Sequence, residues 1–66
     1  MQVIYNGAPR DLPTGATVTQ LLVELQLATR PVAVEVNGDV VPRERHGEVT
    51  LQTGDRVEVV TLVGGG

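Results

Sequence analysis

The sequence predicts an α+β domain in which a mixed sheet of four to five strands is covered on one face by a single helix. Three observations carry that expectation. Valine-rich stretches that alternate at period two lie near the start, middle and end of the chain, as half-buried strands require. One stretch alone, near residues 17–27, spaces its apolar residues at helical intervals. Two Asn-Gly pairs, Asn6-Gly7 and Asn37-Gly38, each follow a strand-like stretch. Asn-Gly is the strongest short hairpin signal, because a type I′ turn needs positive φ at both central residues.

The elements follow in order. Gln2–Asn6 carries Val3, Ile4 and Tyr5, which suit a strand. After the Asn6-Gly7 turn, a short return strand is expected near Pro9–Leu12, and Pro9 places it at a sheet edge. Pro13–Ala16 is a turn. Thr17 followed three residues later by Gln20 is a capping box, which satisfies two orphan backbone groups at a helix start. Val18, Leu21, Leu22 and Leu25 then form one apolar stripe, and the helix is expected to run from Val18 to Gln26 or Leu27. Pro31 disfavours helix at Arg30 and marks the exit. Pro31–Val36 alternates as a strand, Asn37-Gly38 turns, and Val40-Val41 is a short strand ended by Pro42. Arg43–Gly47 reads as a charged loop, Val49–Leu51 as a short extended piece and Thr53-Gly54-Asp55 as a turn. Val57–Val63 is the last strand, with Val57, Val59 and Thr61 on one face and Glu58, Val60 and Leu62 on the other. One helix among these strands gives the pattern of a β-grasp: residues 1–63 form the domain and 64–66 a flexible glycine tail.

Composition bounds the function. The chain has 66 residues, enough for one domain. Val, Leu and Ile make up about a third of it, well above the roughly 20% below which disorder is expected. There is no cysteine, which excludes a thiolate nucleophile, a redox pair and a Cys-based zinc site. With one His, no metal site is expected. The net charge is −3, with five Arg and no Lys, so the basic footprint of a nucleic-acid binder is missing. No apolar run approaches the roughly 20 residues of a membrane span. The first residues show no basic segment leading into an apolar one, so a cytoplasmic location without a secretory signal is expected.

A conventional active site is hard to assemble, and no catalytic residue is assigned. His46 sits in the charged loop and reads as a solvated residue or as a side chain over the sheet edge. The seven hydroxyl residues are all Thr, none in a nucleophile-elbow context. Glu24, Glu35, Glu44, Glu48 and Glu58 are scattered and read as solvated. Arg43 and Arg45 flank Glu44, which suggests a surface ion pair of at most about 1 kcal/mol.

The end of the chain is different. A strand runs into Gly64-Gly65-Gly66. Glycines carry no Cβ, so such a tail can thread a tunnel as narrow as a backbone. Extended, the residues after Thr61 reach about 16–18 Å and deliver a terminal carboxylate into another protein. By composition an inert frayed end fits equally. One helix cannot cover both faces of the sheet, so some of Ile4, Val60, Leu62 and Val63 should be exposed beside the tail as a partner-docking surface.

The run Val36-Asn37-Gly38-Asp39-Val40-Val41-Pro42-Arg43, then Gly54-Asp55-Arg56-Val57-Glu58-Val59-Val60, then Val63-Gly64-Gly65-Gly66, resembles the ThiS family, the ubiquitin-like sulfur carriers of thiamin biosynthesis. Met1–Gly7 and the helix start Thr17–Leu22 fit as well, so the resemblance covers essentially the whole chain. It implies a β-grasp fold. It implies that the Gly66 carboxylate is adenylated by an E1-like, ATP-dependent enzyme, ThiF. Sulfur from a persulfide donor then replaces AMP, and the Gly66 thiocarboxylate donates sulfur at thiazole synthase, ThiG. Gly64 and Gly65 would be the tail that enters both partners. No cofactor is bound by the carrier itself, and the catalytic groups reside in the partners. His46 stands where many members carry an aromatic residue, so packing there is expected to differ.

Other readings share parts of this pattern. A sulfur carrier for molybdopterin synthesis or tRNA thiolation would use the same tail chemistry. A ubiquitin-like protein modifier would join its tail to lysines of other proteins; the absence of Lys here excludes only self-chains. A plain β-grasp interaction domain would leave the tail inert.

Overall fold

The computed structural model describes residues 1–62. The elements are β1 (Gln2–Tyr5), β2 (Ala8–Asp11), α1 (Val18–Glu24), β3 (Val32–Val36), β4 (Asp39–Val41), a 3-10 turn (Arg43–Arg45) and β5 (Arg56–Thr61). The strands form one sheet in the order β2-β1-β5-β3-β4. β1 and β5 run parallel and every other neighbouring pair runs antiparallel, so the sheet is mixed, as expected. The last strand in the chain is therefore the central one in space.

Both hairpins close as their sequences require. Asn6 and Gly7 have φ of 46° and 85°, and Asn37 and Gly38 have 53° and 87°, the double positive φ of a type I′ turn. Tyr5 faces Ala8, and Ile4 faces Pro9. Reciprocal bonds of 2.8 Å join Met1 and Leu12. Alternation along an antiparallel ladder then turns the Pro9 nitrogen to the free edge of β2, where a missing N–H costs nothing.

The start of α1 is fully partnered. Gln20 N–H donates to Thr17 Oγ1 at 3.2 Å, and Thr17 N–H donates to Gln20 Oε1 at 2.8 Å, which is the expected capping box. Val18 N–H donates to the Val49 carbonyl and Thr19 N–H to that of His46, each at 3.1 Å. The segment around 46–51 thus stands against the helix start. Its extended piece pairs only through a bridge between Thr17 and Thr50.

The helix end departs from the expectation. α1 stops at Glu24, with Leu25 as its cap, rather than at Gln26 or Leu27. Gln26 turns left-handed with φ of 61°. Leu27 N–H then reaches the Leu22 carbonyl at 2.8 Å and Gln26 N–H the Val23 carbonyl at 3.0 Å. These two bonds make a Schellman motif, and Leu27 packs on the core as such motifs favour. The helix closes because this motif satisfies its last carbonyls, several residues before Pro31.

The core lies between α1 and one sheet face. Val3, Val34, Val57 and Val59 come from the strands, Val18, Leu21 and Leu22 from the helix, and Leu12, Ala16 and Leu51 from the connections. Leu25 is half-buried at the margin.

Two surface readings are corrected. His46 is not solvated: it is 7% exposed, at the end of the 3-10 turn, with Nε2 3.1 Å from the Val41 carbonyl oxygen. The ion pair in this loop joins Arg45 Nε to Glu48 Oε2 at 3.8 Å and does not involve Glu44. A 3-10 turn brings residues three apart together, which favours that spacing over adjacent charges.

Candidate functional site

Among the described residues, the sheet face opposite α1 has no second layer. Along β5 it presents Arg56, Glu58 and Val60, and Leu62 continues the row. Val60 lies beside Ala33 of β3 and Glu58 lies directly opposite Glu35. Val40 of β4 faces Glu35 on the same side. Val60 and Leu62 are 59% and 51% exposed and Val40 is 70% exposed. These values are high for branched aliphatic side chains, so this face carries uncovered apolar surface.

The residues expected to form a docking surface divide. Val60 and Leu62, two positions apart, share one side of the chain. Ile4 is half-buried and pairs with Arg56, four residues and about 13 Å along β5 from Val60. Val63 and the tail residues Gly64, Gly65 and Gly66 lie outside the described residues. The fold thus places two of the expected residues together and leaves Ile4 apart.

The face is acidic next to its apolar part. Glu35 and Glu58 stand across from each other, and like charges in that relation repel. With Asn37, Gly38 and Arg56 they line an open hollow of 380 Å³. Among the described residues, no three His, Asp or Glu side chains come together as a metal site would need. His46 is used structurally, through its bond to Val41, and lies off this face.

Two turn residues reach beyond their turns. Asn6 and Asn37 each hold the first positive-φ position of a type I′ turn. Each also grips β5. Asn6 Oδ1 accepts from Val59 N–H at 2.8 Å and its Nδ2 donates to the Val59 carbonyl at 3.0 Å. Asn37 Oδ1 accepts from Arg56 N–H at 2.9 Å and its Nδ2 donates to Asp55 Oδ1 at 3.0 Å. The available signal was the choice of Asn where Gly serves the turn equally well.

The model of the ThiS family matches residues 3–66 of this chain. The chain belongs to the ThiS family. The sulfur carrier protein ThiS of Escherichia coli is 30% identical over 66 residues, covering the whole of both chains. The crystal structure of the thiamine biosynthesis protein ThiS from Geobacter metallireducens superposes with a TM-score of 0.85 at 38% identity, over the whole of both chains. The fold is therefore the β-grasp of that family. A thiazole synthase from Paramagnetospirillum magneticum is 39% identical over 66 residues, which are all of this chain and 20% of that protein. The chain spans about a fifth of that relative's length.

Proposed function

We propose that this ThiS-family chain is a sulfur carrier for thiazole formation in thiamin biosynthesis, and that the Gly66 carboxylate is the group it carries sulfur on. The observation that supports this most strongly is the family match, which runs through the terminal glycines. The chain is then a substrate of partner enzymes in the cytoplasm, where ATP is at hand.

The chemistry explains the need for partners. A carboxylate is a poor acyl donor, because it is anionic and its leaving group is oxide. Attack of the Gly66 carboxylate on the α-phosphorus of ATP, in an E1-like adenylating enzyme such as ThiF, releases pyrophosphate and leaves an acyl adenylate. The terminal sulfur of a persulfide then attacks the acyl carbon and AMP departs. A second thiol cleaves the resulting acyl disulfide, taking the donor sulfur into a new disulfide and freeing the thiocarboxylate. That sulfur is nucleophilic and is passed on at thiazole synthase, ThiG. The likeness of this chain to part of a thiazole synthase supports that partner.

The carrier has two tasks in this scheme: to dock and to present its tail. Val60 and Leu62 supply exposed apolar surface for docking. Ile4 lies apart from them, opposite Arg56; Val63 is proposed to join the docking surface, and Gly64 and Gly65 to enter the partner.

Intact-mass spectrometry tests the reading. Incubation with the adenylating enzyme, ATP and a persulfide donor should add about 16 Da, the exchange of one oxygen for sulfur. Deleting Gly65-Gly66 should abolish the gain and leave the fold unchanged. An unshifted wild-type mass, beside a carrier that reacts in the same assay, defeats the proposal.

A further inference from the structure

The strand that leads to the tail is held differently on its two sides. On one side β3 pairs with β5 along its whole length, from Val36↔Val57 to Val32↔Thr61, and Leu62 N–H reaches the Pro31 carbonyl at 2.9 Å. On the other side β1 pairs only at Ile4↔Arg56 and Tyr5↔Val57. There the bonds come from odd-numbered positions of β5: Ile4 N–H donates to the Asp55 carbonyl at 2.8 Å and Asn6 N–H to that of Val57 at 2.9 Å. The next position on this side is Val59. By then the chain has already turned at Asn6-Gly7, so no strand residue remains to meet it.

The side chain of Asn6 meets it instead. Its amide gives an acceptor to Val59 N–H and a donor to the Val59 carbonyl, at 2.8 and 3.0 Å. They satisfy the N–H and the carbonyl of Val59, which in a parallel ladder two successive alternate residues of a longer β1 would have bonded. Two bonds from one planar group also fix direction as well as position. Beyond Val59 the same side of β5 belongs to Thr61, which is exposed and which β1 does not reach. Among the described residues, the Asn6 clip is therefore the last hold on β5 from the β1 side.

We propose that Asn6 is a positioning residue for tail delivery: its side chain sets the direction in which β5 leaves the sheet. The inference rests on the carrier reading and adds a residue to it. A partner that receives an extended tail must order it, and ordering reduces binding. With the clip in place, β5 is held from both sides up to Val59. Without it, the last residues of the strand pivot on β3 alone, and fewer carriers present the tail along the line of entry. The loss falls on association and so on KM.

Asn37 supplies a matched control within the same molecule. It is the same residue in the same kind of turn, and it also clips β5, but at Arg56, the far end of the strand. Its loss removes one bond to the β5 backbone and one to the Asp55 side chain, without freeing the end that leads to the tail.

The test compares Asn6→Gly with Asn37→Gly. Glycine keeps both type I′ turns and deletes both clips. Charging is followed by intact mass with the adenylating enzyme, ATP and a persulfide donor, and the Val59 amide is followed by hydrogen exchange. The expected result for Asn6→Gly is a KM raised roughly tenfold, a kcat within about twofold of wild type and faster exchange at Val59. Asn37→Gly should keep KM and kcat within about twofold. Asn6→Asp keeps the acceptor for Val59 N–H and lacks the donor, so its KM should fall between wild type and Asn6→Gly. It also carries the test should Asn6→Gly fail to fold. An unchanged KM in both Asn6 variants overturns the inference, as does an equal rise in Asn37→Gly. In those cases the wild type still charges and the carrier reading stands. A wild type that gains no mass overturns both.

Discussion

The buried imidazole of His46 hydrogen-bonds the backbone of Val41, with Nε2 3.1 Å from the carbonyl oxygen. A carbonyl can only accept, so Nε2 carries the proton and donates. The same residue's own carbonyl accepts from Thr19 N–H at 3.1 Å. His46 thus ties the end of β4 to the second residue of α1 across the 3-10 turn. Replacing it by Ala opens a cavity and leaves the Val41 oxygen without this donor. His46→Ala should lower stability by about 2–3 kcal/mol, read as a shifted midpoint in urea unfolding. A loss below about 0.5 kcal/mol would show that the side chain holds nothing together.

Gln26 occupies a position made for glycine. Its left-handed φ of 61° closes α1, and its side chain is exposed, so nothing else depends on it. Gln26→Gly should stabilise the fold by about 0.5–1 kcal/mol, the relief of αL strain less the added freedom of the unfolded chain. Thermal unfolding checks the sign: a lowered midpoint contradicts the account.

Glu35 and Glu58 face each other across β3 and β5 on the open face. Glu35→Arg turns repulsion into attraction and should add about 0.5 kcal/mol at low salt. The gain should shrink between low and high ionic strength, because both groups are exposed and screened. A gain that is independent of salt would assign the effect to something other than the charges.

Val60 is 59% exposed on the open face of the sheet. Val60→Asp should therefore change stability by no more than about 0.5 kcal/mol. If the open face docks the adenylating enzyme, the same change should raise KM for charging about tenfold, since a desolvated carboxylate has no place in an apolar contact. Unimpaired charging of this variant removes Val60 from the docking surface.

Much of the fold was legible because its determinants are local. A type I′ turn is a requirement on two adjacent residues, and Asn6-Gly7 and Asn37-Gly38 meet it wherever the chain goes next. The capping box links Thr17 and Gln20 within one helical turn. The stripe Val18, Leu21, Leu22 and the alternation of Val57 and Val59 fix which sides are buried. The end of the helix was less legible, because Gln26 carries no glycine signal. It adopts the left-handed conformation because Leu27 gains a place on the core.

By itself, then, the sequence determined the elements, the hairpin turns, the buried sides and the glycine run with which the chain ends, since each depends on neighbours a few residues apart. Only the tertiary structure decided that the last strand lies at the centre of the sheet, that His46 is buried against Val41, and that Asn6 grips Val59 from 53 positions away. Those relationships join segments that meet only after the chain has collapsed, when a backbone group left without a partner in the ladder takes whichever donor or acceptor the packing brings within reach.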